Sequence, residues 1–313
     1  MDTFKDRISI FVDTIGKQII TGLFLGYLFL SLSFLLPTLV SVLILKKNLG
    51  EMILTNPENL SLLDKIVFQM IQGMHQVVGW GLSAWILAKW VGEPKEFLGL
   101  KKSNSITGAL LVPLIVLASV PLVQSIMFDE QSFNLPSFMA GLENQIHQLE
   151  YNGKRILSAL LADDRLGVFI GNVVFVALTP AICEELFFRG FLQGRLAKLL
   201  PPHLAIWFTA LLFSLMHMQF YGFFSRMFLG ALLGYFVYYS GSLYLGMLGH
   251  FTFNFISIFV VYIASIYRVE DEWIDDSVVV PFPLLLASIV SFCVLFGLYR
   301  FIYAPSQKTQ IDE

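Results

Sequence analysis

VFIGNVVFVALTPAICEELFFRGFL, residues 168–192, is a run that hydrocarbon should dissolve, except that it carries Glu184, Glu185 and Arg189. Each charge at the centre of a spanning helix costs about 2.5–3.5 kcal/mol, so the three left unpaired would cost roughly 8–10 kcal/mol. Helical geometry offsets part of this. Glu185 and Arg189 stand four residues apart on one face, whereas Glu184 is turned from Glu185 by about 100°. Glu185 therefore has a local partner and Glu184 has none, which leaves Glu184 to handle a proton or a water. The competing reading is a buried ion cluster that only locks helix packing.

The chain around this run has the composition of a membrane protein. Of its 313 residues 56% are hydrophobic and only 14% charged, far from a soluble domain. The expected fold class is all-α: a polytopic membrane helix bundle, with residues 1–313 forming a single integral membrane domain surrounded by membrane lipids. A net charge of −3 argues against nucleic acid as a partner. Cys183 and Cys293 lie in apolar segments without CxxC or Cys/His spacing, so neither a disulfide framework nor a thiolate zinc site is indicated.

A crossing takes about 20 apolar residues. On that rule about eight crossings are expected, near residues 21–45, 66–90, 106–128, 166–200, 203–220, 223–239, 243–267 and 280–303. Residues 1–20 hold too many charges for a signal peptide. There Phe4, Ile8, Phe11, Val12 and Ile15 recur at helical spacing, as in an amphipathic helix lying on the membrane surface. Lys46 and Lys47 stop the first crossing. The second carries Gln69, Gln72, His75 and Gln76, which predicts a face turned to other helices or to a wet cavity, with His75 read as a packing residue. Pro113 and Pro121 should kink the third crossing, and Pro180 should kink or break the fourth.

Residues 129–165 form the longest polar stretch. They predict one or two interfacial helices, acting as a lid or a substrate ramp, or else a loop that only connects. The link Ser240–Ser242 is so short that the sixth and seventh crossings must be antiparallel neighbours. Glu270, Asp271, Glu272, Asp275 and Asp276 mark an aqueous loop. An even number of crossings puts both termini on one side, and Lys5, Arg7, Lys17, Lys89, Lys95, Lys101, Lys102, Arg195 and Lys198 identify that side as cytoplasmic.

Two intramembrane histidines complete the pattern. His217 closes FSLMH, residues 213–217, and His250 opens HFTFN, residues 250–254. His250 and Asn254 project from one helical face as a pair of donors. A carboxylate without a local partner, a histidine on the next helix and a His/Asn pair two helices later could converge inside a bundle. Hydrolysis needs such a set: a base for water, a group that orients the water, and donors for the oxyanion of a tetrahedral intermediate.

EExxFRG, FxxxH and HxxxN in that order, over successive crossings between about Leu166 and Phe255, resemble the CPBP family of intramembrane proteases, also called the CAAX protease and bacteriocin-processing or Abi family. The resemblance implies an intramembrane endopeptidase with residues 166–255 as its catalytic core. Glu184 would activate water, His217 would position it, and His250 with Asn254 would stabilise the oxyanion. Glu185 and Arg189 would give structural support. The expected substrate is a peptide or membrane-associated protein cut near its C terminus, either lipidated, as the prenylated CaaX tails of eukaryotic relatives are, or unlipidated. The expected location is a bacterial cytoplasmic membrane.

The preferred reading requires no cofactor. Zinc is the alternative, with Glu184, His217 and His250 as three ligands and an open fourth position, although no HExxH is present. A non-catalytic scaffold or regulator of the same fold, for example in bacteriocin self-immunity, is the competing function. An ion transporter built on Glu184, Glu185 and Arg189 is disfavoured because the chain shows no inverted repeat.

Overall fold

A computed structural model describes residues 2–45, 60–131, 135–268 and 279–311, and every regular element among them is helical. In chain order, α1 (Asp2–Leu45) is one unbroken helix, and α2 (Leu62–Gln76) passes through a π-helical segment, Val77–Leu82, into α3 (Ser83–Val91). Ser61 caps α2: its hydroxyl accepts from the Asp64 amide at 3.2 Å while the Asp64 carboxylate accepts from the Ser61 amide at 3.0 Å. This reciprocal box satisfies two end donors that α2 would otherwise leave bare. A single turn, α4 (Pro94–Phe97), precedes α5 (Ile106–Gln131), which runs on through Pro113 and Pro121. The long polar stretch folds into one helix, α6 (Ala140–Leu161), after a 3-10 turn at Ser137–Met139.

The segment quoted at the outset was expected to kink or break at Pro180. It does not break there but continues helically over 31 residues, Leu166–Leu196, as α7 (Leu166–Asn172), a π-helical segment Val173–Leu178, α8 (Thr179–Glu185), a second such segment Leu186–Gln193, and α9 (Gly194–Leu196). Proline lacks the amide that would bond four residues back, and its ring crowds that carbonyl. The wider turn just before Pro180 relieves the crowding, and the Thr179 hydroxyl donates to the Val174 carbonyl at 2.7 Å. The chain then forms α10 (Pro202–Leu215), α11 (Phe223–Ser240), α12 (Leu243–Tyr267) and α13 (Phe282–Ile311). α11 and α12 pack together, as their short link requires. The acidic loop Glu270–Asp276, Lys46 and Lys47 lie outside the described residues, as do the side chains of Phe4, Ile8, Phe11 and Val12.

Five of the described helices are long and apolar enough to cross a membrane: Asp13–Ser33, Ile106–Glu130, Leu166–Leu196, Leu243–Tyr267 and Phe282–Ala304. The protein is a helical membrane bundle. The other three expected crossings stand outside that set for separate reasons. α2 and α3 carry Asp64, Lys65 and the glutamine-rich face. α10 has 14 residues, about 21 Å at 1.5 Å per residue, against a hydrocarbon core of about 30 Å. α11 contains Arg226 and three tyrosines.

Two apolar clusters flank the quoted segment. Trp80, Leu87 and Leu98 pack against Phe187, Phe188, Phe191 and Leu192. Val112, Ile115, Leu233, Phe236, Leu245 and Tyr299 join α5, α11, α12 and α13.

Outside the apolar interior, Lys65 at the start of α2 reaches Asp163, just before α7, at 2.8 Å, and Arg165 binds the same carboxylate at 2.5 Å. The Arg165 hydrogen bond, with help from Lys65, holds the Asp163 carboxyl well below the usual aspartate range. A carboxyl with a depressed folded value stabilises the fold above its unfolded value and loses that contribution as the pH falls. Wild-type protein should therefore exceed Asp163→Asn in thermal stability by a constant margin above about pH 4, the ordinary aspartate range. Below that the margin should shrink progressively, and melts of both proteins in detergent across pH check it.

Candidate active site

α8 ends on the two glutamates and the π-helical segment after it carries Arg189, so the charged run straddles a change of helix type. Glu185 and Arg189 form the ion pair that their spacing predicts, at 2.6 Å, with both side chains 0% exposed. The guanidinium also donates to the Gly230 carbonyl of α11 at 2.9 Å and lies 4.5 Å from the ring centre of Phe213. Hydrogen bonding and the ring face thus share the desolvation of one buried cation.

Glu185 has a second partner that its local sequence does not announce. The Nδ1 of His250 donates to Glu185 Oε1 at 3.0 Å. A carboxylate only accepts, so Nδ1 carries the hydrogen and Nε2 is the ring nitrogen left for another partner. That Nε2 faces Glu184 Oε2 at 3.9 Å. His217 is fixed in the same way, its Nδ1 donating to the Phe213 carbonyl at 2.8 Å, so its Nε2 lone pair is also left open. Phe213 serves both histidines, because its ring stands edge-on to His217 at 4.9 Å and to His250 at 5.9 Å.

Glu184, His217, His250 and Asn254 all line one cavity of about 630 Å³. The arrangement brings Glu184 and His250 nearest together, while His217 makes no hydrogen bond or ion pair with Glu184 and Asn254 none with His250. The glutamine face of the second expected crossing divides. Gln69 donates to the Val168 carbonyl and to Asn172 at 3.0 and 2.8 Å, whereas Gln72, His75 and Gln76 reach the cavity. His75, read from sequence as a packing residue, is thus a cavity residue, with its Nδ1 2.6 Å from the Ser33 hydroxyl. Gln76 donates to Glu184 Oε1 at 2.9 Å. The only prior signal for either was polarity on an otherwise apolar helix.

The turn from Met216 to Gly222, which carries His217, is held from outside. Glu150 of α6 accepts from the amides of Phe220 and Tyr221 at 2.7 and 2.8 Å, and His147 Nε2 shares a hydrogen bond of 3.1 Å with the Tyr221 hydroxyl. Burial, then the carboxylates of Glu143 and Glu150, push the Tyr221 phenol up. Leu157 of α6 lines the cavity itself.

Residues 167–256 match the family model described as Type II CAAX prenyl endopeptidase Rce1-like. The matched stretch is similar to the Rce1-like part of the CAAX protease family. It holds Glu184, Glu185, Arg189, His217, His250 and Asn254, the residues on which the sequence resemblance rested. The cavity wall from α1 and α2 lies outside it. No curated protein and no solved structure matches the chain.

A metal would need its ligands gathered around one point. Among the described residues no group of three His, Cys, Asp or Glu side chains is placed to hold an ion. Glu184, His217 and His250, the zinc set expected as the alternative, line one cavity without forming such a group.

Proposed function

We propose that the protein is an intramembrane endopeptidase that hydrolyses a peptide bond with water activated by Glu184. The observation that carries this reading is the setting of that carboxylate. It is the one acidic side chain lining the cavity among the described residues, its Oε1 is engaged by Gln76, and its Oε2 lies 3.9 Å from His250 Nε2.

A water between Glu184 Oε2 and the Nε2 of His217 gives up a proton to Glu184 as its oxygen attacks the scissile carbonyl carbon. The Asn254 amide donates to the resulting oxyanion. His250, its ring held through Nδ1 by Glu185, stands beside it in the same cavity. Collapse of the intermediate breaks the C–N bond, and Glu184 returns its proton to the leaving amine. The substrate class is a peptide or a membrane-associated protein cut near its C terminus, in a bacterial cytoplasmic membrane with both termini of the enzyme cytoplasmic.

The test is a comparison of peptide C termini in cells carrying wild-type protein or Glu184→Gln at equal abundance. C termini that depend on Glu184 are expected, and synthetic peptides spanning the cut then serve as substrates. No difference, with Glu184→Gln still complementing a deletion, would overturn the protease reading in favour of the scaffold. Because the proposed steps use only protein groups, exhaustive chelation should leave the cleavage rate within about two-fold, well under the tenfold that 1.4 kcal/mol represents. A loss restored by zinc alone would refute the metal-free scheme.

A further inference from the structure

Gln76 lies outside residues 167–256, yet it makes the only hydrogen bond to Glu184 among the described residues, from Nε2 to Oε1 at 2.9 Å. The orientation of the amide follows from chemistry, since a carboxylate accepts and cannot donate. We infer that Gln76 is a positioning residue for the hydrolysis: by holding Oε1 it leaves Oε2, the oxygen facing His250, to take the proton from water. The catalytic part of this inference rests on the proposed function, and the contact itself does not.

Packing does not account for a glutamine at this position. Gln76 is buried at the edge of the cavity. A leucine would fill similar volume but offers no donor, so Glu184 Oε1 would lose its one side-chain partner among the described residues. The helices are also shaped to make the contact. A Cβ on Gly73 would meet Phe175 at 2.4 Å, and one on Gly81 would meet the Cys183 sulfur at 3.0 Å. Glycine on either side of Gln76 therefore lets this stretch close on the segment that carries Glu184, near enough for one glutamine to span the gap. The π-helical widening begins at the next residue, Val77, and such single-turn widenings recur beside functional groups.

Two readouts on the full chain in detergent test the inference. The infrared difference spectrum of wild type against Glu184→Gln isolates the carboxylate stretching bands of Glu184, and the same difference is taken in a Gln76→Leu background. Loss of the N–H donor should move those bands. On the peptide substrate found by C-terminal profiling, Gln76→Leu and the similarly sized Gln76→Met should each lower kcat by about 10- to 100-fold. KM and the thermal midpoint should stay near wild type, where a purely structural role would lower the midpoint and spare Gln76→Met. Unmoved bands would overturn the contact. Moved bands with unchanged kcat would overturn the positioning role. Moved bands in a protein that cleaves nothing, even as wild type, would remove the proposed hydrolysis while leaving Glu184 held by Gln76.

Discussion

Glu184→Gln is expected to lower the rate of peptide hydrolysis by about 10²- to 10⁴-fold, the usual contribution of a general base, without loss of folded protein. The substitution keeps the side chain's shape, and the new amide oxygen can still accept from Gln76 Nε2, so the contact at 2.9 Å has a replacement. What disappears is the ability to take a proton at the position of Oε2, beside His250. Single-turnover cleavage in detergent separates this from binding: the chemical step should fall while half-saturation stays close to wild type. Equal rates for the two proteins would remove Glu184 from the reaction.

Arg189→Ala should be the most destabilising single change in the site, at about 3–5 kcal/mol, because it leaves a buried carboxylate uncompensated. Glu185 and Arg189 are both wholly buried and 2.6 Å apart. The same change removes the donor to the Gly230 carbonyl and the cation over Phe213. Pairing it with Glu185→Leu takes out both charges and should recover much of the stability, since two apolar side chains can fill the space of a buried ion pair. Activity should not recover with it. Glu185 also accepts from His250 Nδ1 at 3.0 Å, and without that acceptor only the edge contact with Phe213, and no hydrogen bond among the described residues, holds the ring with Nε2 toward Glu184. Thermal melts and cleavage assays on the single and double variants should therefore diverge. Joint recovery would mean that Glu185 only neutralises Arg189.

The linear order of residues determined what depends on short range and on transfer from water. Apolar runs determined a helical membrane protein, since hydrocarbon tolerates little but satisfied helices. Four-residue spacing determined that Glu185 pairs with Arg189 and that Glu184 turns elsewhere, and the three motifs pointed to the family whose model matches residues 167–256. The course of the chain past Pro180 was less legible. A proline signals a missing hydrogen bond, but whether the helix breaks or widens depends on what packs around it.

Tertiary structure alone decided the partners across helices. Glu185 finds His250 at a separation of 65 residues, and Gln76 finds Glu184 at 108. It also decided that His75 borders the cavity and that Phe213 braces two histidines and a guanidinium. Periodicity tells which residues share a face of one helix, whereas contact between helices depends on their rotation and relative height, which the packing of the whole bundle sets.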